Sequence, residues 1–289
     1  MMCESMSDDV VVRPNALDDL PPLPVVGYEN MIHQLGAAAA PELQAKTALD
    51  GAIASGSMEK LQVVLQQIRQ HIPGQTIVLV MHALRSVGRQ GNLGMMQFLL
   101  EQIAGCDMRQ TFDLMKYALD GTASQHNPGM MDFLLGAVQK AFHASHPQLF
   151  LELVQHGFNA VAKHGNLGLL KFLMDHAAAA ALPINYDDVF GHASAAGQAE
   201  ALLGGAIRGG APYESVTLML LQSVRNLPEN NDSGLGSRQS LKTAAKVQVV
   251  KSYKQKDPAL FNKLMLAIKN YFPEEIAHAQ GAPANDVAM

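Results

Sequence analysis

The sequence has few charged residues, few aromatic residues and few cysteines. Charged residues make up 16% of the 289 positions, below the roughly 25% of an average soluble protein, while 48% are hydrophobic. A chain of this composition can bury a core, so wholesale disorder is excluded. The two cysteines, Cys3 and Cys106, cannot build a disulfide framework or a thiolate metal cluster. They favour a reducing compartment.

Long apolar runs are also missing. The longest alanine-rich run, Ala177 to Leu182, has six residues, whereas a membrane-spanning helix needs about 20. The opening residues, MMCESMSDDVVVRP, are acidic, whereas a secretory signal begins with a basic stretch and continues with an apolar one. The sequence therefore predicts a soluble, cytoplasmic protein without a transmembrane segment.

Charge and loop-forming residues divide the chain into five parts. Residues 1–40 are predicted to be a partly disordered arm, and its Pro21 to Pro24 run fits a linker better than a polyproline ligand because Asp18 and Asp19 lie beside it. A repeat array is predicted at 41–225, a loop at 226–237, basic helices at 238–273 and a flexible tail at 274–289. Residues 238–271 carry eight basic residues against one acid, whereas residues 1–237 carry 13 basic and 22 acidic residues.

The predicted array is identified by self-similarity. GNLGMMQFLL at 91–100 and GNLGLLKFLM at 165–174 nearly coincide, and HNPGMMDFLL at 126–135 keeps the same frame. Weaker copies begin at Gly56 and Gly197, so five anchors lie at 56, 91, 126, 165 and 197. The intervals of 35, 35, 39 and 32 residues are typical of helical solenoids. The predicted fold class is all-α, with about five helix-turn-helix repeats and a C-terminal helical cap.

Each copy has the composition of a helix, a tight turn and a second helix. A small or β-branched residue stands four positions before each anchor, where helices can pack closely: Ala52, Val87, Thr122, Val161 and Ala193. The anchor glycine suits a turn with positive φ, and His126 in that place predicts a distorted turn. Apolar residues follow at helical spacing. They predict a core containing Leu93, Met96, Leu99, Leu134, Leu170, Leu173 and Leu202.

These copies resemble the ankyrin repeat. The frame Gly-x-Leu-x-x-Val-x-x-Leu-Leu of its second helix is matched by residues 91–100, and Ala193 to Gly197 resembles the end of its first helix. The Thr-Pro-Leu-His opening of the family is absent, and most intervals exceed its repeat of about 33 residues. The array is therefore similar to degenerate ankyrin repeats, whose hairpin loops are shortened, lost or replaced by helices. The resemblance implies a protein-binding scaffold, and also a likeness to arrays that intracellular bacteria secrete into host cells without a cleavable signal peptide.

No residue cluster in the sequence gives a strong signal for a catalytic site or a metal site. His143 and His146 have helical i, i+3 spacing, but no Glu accompanies them and Pro147 disfavours helix at His146. Asp107 beside Cys106 predicts a raised thiol pKa. Gly234 to Arg238 lacks the spacing and the Lys-Ser/Thr ending of a phosphate-binding loop. The sequence therefore predicts no catalytic residues, no metal site and no cofactor.

The predicted partner-binding residues are Arg238, Lys242, Lys246, Met95 and Met130. The three cations recur every four residues along one helical face, beside an apolar face with Leu241 and Val249. The basic stripe fits a cap on the acidic array better than a phosphate-binding surface. The Met-Met pairs supply an adaptable apolar surface if one methionine of each pair lies outside the core.

Three functions are compatible with the sequence. The favoured one is a non-catalytic scaffold that binds a protein partner through the repeat surface, with no nucleic-acid partner. The alternatives are an enzyme whose active site lies in the C-terminal segment, with the repeats as a substrate-recognition arm, and an anionic membrane or nucleic-acid binder that uses residues 238–256. Peripheral membrane contact is thus allowed but not favoured.

Overall fold

The described part of the chain is helical throughout. The structure, a computed structural model, describes residues 41–103, 105–226, 238–253 and 256–272, with only the backbone at 238–240. These residues form thirteen α-helices and no strand. The all-α prediction is therefore confirmed for the described residues. The predicted arm, most of the loop at 226–237 and the predicted tail lie outside them.

The helices follow one another with short links. They are α1 (Pro41–Ala54), α2 (Met58–His71), α3 (Thr76–Gln90), α4 (Leu93–Gln102), α5 (Met108–Ala123), α6 (Pro128–Val138), α7 (Pro147–Lys163), α8 (Leu167–Ala179), α9 (Tyr186–Ala195), α10 (Ala199–Gly209), α11 (Glu214–Asn226), α12 (Arg238–Tyr253) and α13 (Pro258–Tyr271). Short 3₁₀ helices at Pro73–Gln75 and Ala211–Tyr213 and a π-helix at Gln139–His143 join some of them. The described links between copies thus contain no β-hairpin of the ankyrin kind.

The five anchors all lie between two helices. Each copy consists of a first helix before the anchor and a second helix after it: α1 and α2, α3 and α4, α5 and α6, α7 and α8, and α9 and α10. The four anchor glycines have φ between 65° and 75°, a conformation that costs glycine nothing. His126 is not among the described residues with positive φ, and Gln125 N donates to Thr122 O instead. The His126 turn thus has a different geometry and avoids the strain of a left-handed histidine.

The residue after the anchor caps the second helix in four of the copies. Its side-chain oxygen accepts a hydrogen bond from the backbone N–H three residues later, at 3.0–3.3 Å. The four residues are Ser57, Asn92, Asn127 and Asn166. Such a cap satisfies one of the N–H groups that the first turn of a helix leaves unpaired. The small polar residue beside each of these anchors therefore defines where the second helix begins.

The chain divides into two units, Met1–Tyr117 and Ala118–Met289. In the first unit, α1 packs against α2 and α3, and α3 packs against α4. In the second unit, alternate helices contact one another in chain order: α7 with α9, α9 with α11 and α11 with α13. The helices between them do the same: α6 with α8, α8 with α10 and α10 with α12. Within the second unit, contacts therefore join elements about one copy apart in the sequence.

The core follows the repeat pattern with one correction. All five residues that stand four positions before an anchor are buried, and so are six of the seven predicted core residues. Leu93 is the exception, because 47% of its side chain is exposed. It is the first residue of α4, directly after the Asn92 cap, and the buried face of that helix is formed by Met95, Met96 and Leu99. Placing Leu93 in the core was wrong.

Candidate partner-binding surface

The two methionines that the sequence suggested for partner binding are core residues. Met95 and Met130 are each 1% exposed, and their neighbours Met96 and Met131 are fully buried. Both members of each pair therefore lie inside the protein, so neither pair provides the adaptable surface that the sequence allowed. Neither Met95 nor Met130 contributes side-chain surface in this structure.

One cation of the predicted basic stripe of α12, Lys242, is covered by the chain itself. Lys242 is only 5% exposed, and its Nζ lies 5.4 Å from the centroid of the Phe272 ring, a cation–π distance. Lys246 is half-buried and also contacts the rest of the chain. Arg238 begins the helix, and its side chain lies outside the described residues. Lys242 is covered because it borders the buried face formed by Leu241, Ala245 and Val249.

Lys242→Glu is expected to lower the free energy of unfolding by about 2 kcal/mol, because the new carboxylate is buried against the electron-rich face of Phe272. Lys251→Glu is the matched control on the same helix. Its side chain is exposed, so its effect should stay within about 0.5 kcal/mol. Urea denaturation followed by circular dichroism compares the two variants. Equal effects would show that Lys242 is not buried.

A recurring side-chain contact links the first helices of consecutive copies. His82 Nε2 lies 2.8 Å from Asp50 Oδ1 between α3 and α1. His156 Nε2 lies 3.1 Å from Asp120 Oδ1 between α7 and α5. The Nδ2 group of Asn159 in α7 donates to Asp188 Oδ2 in α9 at 2.7 Å.

These three contacts join equivalent positions. Asp50, Asp120 and Asn159 each stand six residues before their anchor, and the partner in each contact stands nine residues before the next anchor. In the fifth copy the position six before the anchor is Gly191. We call the positions six and nine residues before the anchors the polar row. Their recurrence means that neighbouring first helices meet in the same register in these copies.

Further hydrogen bonds extend the polar contacts along the second unit. Gln155 pairs with the backbone of Asn185, donating from Nε2 to its carbonyl at 3.1 Å and accepting its N–H on Oε1 at 2.9 Å. Asn185 also caps α9, so this contact fixes where that helix begins. Beyond it, Asn226 Nδ2 donates to Asp187 Oδ2 at 2.8 Å, which connects α11 with α9. The polar side chains of α5, α7, α9 and α11 are thus held in defined positions at a partly exposed surface.

The Asp120–His156 pair is expected to show a coupling free energy of about 0.2–1 kcal/mol in a double-mutant cycle, because both side chains are about one-third exposed. The four proteins are wild type, Asp120→Ala, His156→Ala and the double variant, compared by urea denaturation at low ionic strength. The Asp50–His82 pair in the first unit should give a value in the same range. Strictly additive single effects for both pairs would contradict this.

The two histidines considered for metal binding make separate local contacts. The His143 ring packs edge-on against Phe150, with 5.0 Å between centroids, and His146 Nδ1 lies 2.9 Å from Ser145 Oγ. Across the described ranges, no three His, Cys, Asp or Glu side chains come close enough to hold a metal ion. Burial raises the pKa of the Cys106 thiol, Asp107 raises it further, and Arg69 opposes both. The expected direction of that pKa is confirmed, with burial as the larger cause. Residues 234–237 of the glycine-rich segment lie outside the described residues.

None of the helices in the described residues is both long and apolar enough to span a membrane.

Comparison with known proteins finds no family model that matches the chain. No curated protein matches it either. Function is therefore inferred from the geometry of the chain alone.

Proposed function

We propose that this protein is a non-catalytic scaffold that binds a protein partner through the surface of its first helices. The observation that carries the proposal is the polar row. The same contact recurs between consecutive copies at Asp50–His82, Asp120–His156 and Asn159–Asp188. A recurring contact of this kind is what a stack of equivalent helix pairs produces, and such stacks present extended binding surfaces.

The proposed architecture is a helix-pair solenoid. Each copy is too thin to bury its own apolar face, so it depends on its neighbours for a core. Support comes from the two rows of helix contacts in the second unit and from the shared turn and cap residues of the copies. The ankyrin resemblance supports the helix–turn–helix frame of this proposal but not its links.

Preorganised polar side chains favour the first helices as the binding surface. Binding costs less side-chain entropy when the contacting groups are already held in place. Asn159, Asp188 and Asp187 are held by hydrogen bonds to neighbouring helices and remain partly exposed. The exposed His192, on the same helix as Asp187 and Asp188, adds a further polar group. A polar, partly acidic surface of this kind fits a partner segment that carries hydrogen-bond donors and basic side chains.

Gly191 provides a sharp test of this surface. It lies in the polar row of α9, and a Cβ built there meets no atom within 4 Å. Gly191→Arg therefore places a long side chain on the proposed surface, and its Cβ has open space around it. Gly136→Arg is the matched control, because Gly136 is also helical, has equally open space and lies on the second helix α6.

The full-length tagged chain is used to capture partners from an extract of the cells in which the protein acts. Mass spectrometry then identifies the captured proteins. Wild type and Gly136→Arg are expected to retain the same partner, and Gly191→Arg to lose at least tenfold in affinity when that partner is purified and titrated. Circular dichroism confirms that both variants are folded. A partner that binds all three proteins equally uses another surface, and that result would overturn the proposed binding face.

A further inference from the structure

One position of the polar row has no partner. Asp50, Asp120 and Asn159 are each in contact with the next first helix, whereas the corresponding residue of the second copy is Arg85. Arg85 forms no hydrogen bond and no ion pair with any residue that the structure describes. Tyr117, which holds the next row position on α5, does not bond to it either. The second copy therefore presents a guanidinium group for which the described chain supplies no acceptor.

The Arg85 side chain is covered along its stem and open at its tip. Its Nε is buried without an acceptor, whereas its two Nη groups, which also lack acceptors, are not buried. The packing around Nε restricts the side chain, so little conformational entropy is lost when an acceptor binds the tip. Two Nη groups of one arginine can donate two parallel hydrogen bonds to one carboxylate.

Arg85 belongs to a single stripe of α3. Val78, His82, Arg85 and Arg89 lie within about 60° of one another around the helix axis, and we call them the α3 stripe. Val78 is 46% exposed. Arg89 is exposed and, like Arg85, has no acceptor within the described ranges. No acidic residue occurs anywhere in α3. The stripe is thus apolar near the start of the helix and cationic in its second half.

The neighbouring helix α1 extends the apolar end of the α3 stripe. Leu43 is 56% exposed and stands thirteen residues before its anchor, as Val78 does before the next one. The two helices pack together in the first unit. Asp50 Oδ1 lies 2.8 Å from His82 Nε2 and accepts a hydrogen bond from Ser86 Oγ at 3.2 Å, which fixes their register. Both aliphatic side chains therefore lie on the surface of the first helices.

We propose that the α3 stripe and Leu43 bind an acidic and aliphatic segment of a protein partner. The proposal rests on the proposed scaffold function and adds the chemistry of the partner at the first unit. A carboxylate of the segment binds the Arg85 tip, with Arg89 as a second cation beside it. An aliphatic side chain of the segment covers Val78 and Leu43.

The spacing of the stripe specifies the segment. Val78 and Arg85 are seven residues apart, which corresponds to about 10 Å along a helix. The aliphatic side chain and the carboxylate of the partner must lie at the same separation. That separation corresponds to about seven residues if the segment is helical and about three if it is extended.

The mixed chemistry of the stripe favours a protein segment over a free phosphate or a nucleic-acid backbone. Phosphate groups would satisfy the two arginines but would leave Val78 and Leu43 in water. Burial of the aliphatic side chains supplies affinity, and the charge pair supplies orientation and specificity.

Selection of a displayed library of random 15-residue peptides on the full chain tests the proposal. The enriched peptides are expected to share an Asp or Glu and an aliphatic residue at one of the two spacings. The enriched peptide of highest affinity is then synthesised with a fluorophore and titrated by fluorescence anisotropy. Its dissociation constant should rise with salt concentration because the charge pair is screened.

Arg85→Gln is expected to raise the dissociation constant of this peptide at least tenfold, because the carboxylate loses its donors. Val78→Ser should raise it at least threefold, because the aliphatic contact is lost. The matched control is Arg208→Gln, which removes an exposed arginine from the second helix α10 and should leave the constant unchanged. Circular dichroism confirms that the variants are folded.

Charge exchange separates direct contact from a structural role of Arg85. Replacing the acidic residue of the peptide by lysine should abolish binding to wild type. Arg85→Glu should bind this altered peptide at least fivefold more tightly than it binds the original one. A residue that only supports the fold would not produce such an exchange of preference, so its absence overturns the proposal.

Two further results would overturn the proposal. One is a selection that enriches no peptide or only peptides without an acidic residue. The other is a peptide that binds Arg85→Gln as tightly as wild type. Neither result concerns the binding face of the second unit, which Gly191→Arg tests, so failure of this inference is distinguishable from failure of the proposed scaffold.

Discussion

Asn166→Ala is expected to lower the free energy of unfolding by about 3–4 kcal/mol. The side chain is 2% exposed and makes three hydrogen bonds. Its Oδ1 caps α8 at Leu169 N, while its Nδ2 donates to Ala123 O at 3.1 Å and Gln125 O at 2.7 Å. Loss of a cap costs about 1 kcal/mol, and leaving the buried Ala123 carbonyl unpaired costs about 1–3 kcal/mol. The Gln125 carbonyl is only partly buried, so it adds less.

Asn127→Ala is the matched control for this variant. Asn127 occupies the equivalent position in the preceding copy and caps α6 through the single bond to Met130 N at 3.0 Å. Its removal should therefore cost only about 1 kcal/mol. Urea denaturation followed by circular dichroism compares the two variants with wild type. If both variants lose the same stability, the bonds to Ala123 and Gln125 contribute nothing, and Asn166 is only a cap.

Leu99→Ala is expected to cost about 2–5 kcal/mol, because a fully buried leucine loses its transfer free energy and leaves a cavity. Leu173→Ala, at the corresponding place in α8, should fall in the same range because Leu173 is 1% exposed. Thermal and urea denaturation of both variants measure the loss. A loss below about 0.5 kcal/mol for either variant would mean that the side chain does not lie in the core.

Leu93→Ala supplies the internal control on the same helix as Leu99. The side chain is nearly half exposed, so truncation should change stability by less than about 0.5 kcal/mol. The sequence pattern places both leucines in one apolar series, and the structure separates them. A large loss for Leu93→Ala with a small one for Leu99→Ala would reverse the assigned orientation of α4.

The helix pairs could be predicted from the sequence because the features that define them depend on residues close together in the chain. Glycine at an anchor permits the turn, a small polar residue after it can cap a helix, and apolar residues at 3.6-residue spacing follow. Each of these features involves residues within about ten positions of one another. Their result is the series of helix pairs around positions 56, 91, 126, 165 and 197.

The candidate surface was much less predictable than the helices. The sequence pattern favoured Met95, Met130 and the basic stripe, whereas the polar row was missed. Its signal is present in the sequence, because Asp50 and Asp120 stand at equivalent positions, as do His82 and His156. Aligning the copies on their anchors would have revealed these pairs, but not that they touch.

The sequence by itself determined that the described chain is helical, where its helices turn, and which residues before each anchor lie in the core. Only the tertiary structure decided that Lys242 and Met95 are covered, that Leu93 is exposed, and that Asn166 binds carbonyls in the preceding copy. The reason is physical. Backbone turns and helical periodicity depend on residues that are close together in the chain. Which side of an amphipathic helix becomes buried depends instead on another helix some 30 to 40 residues away. No local sequence pattern encodes the position of that second helix.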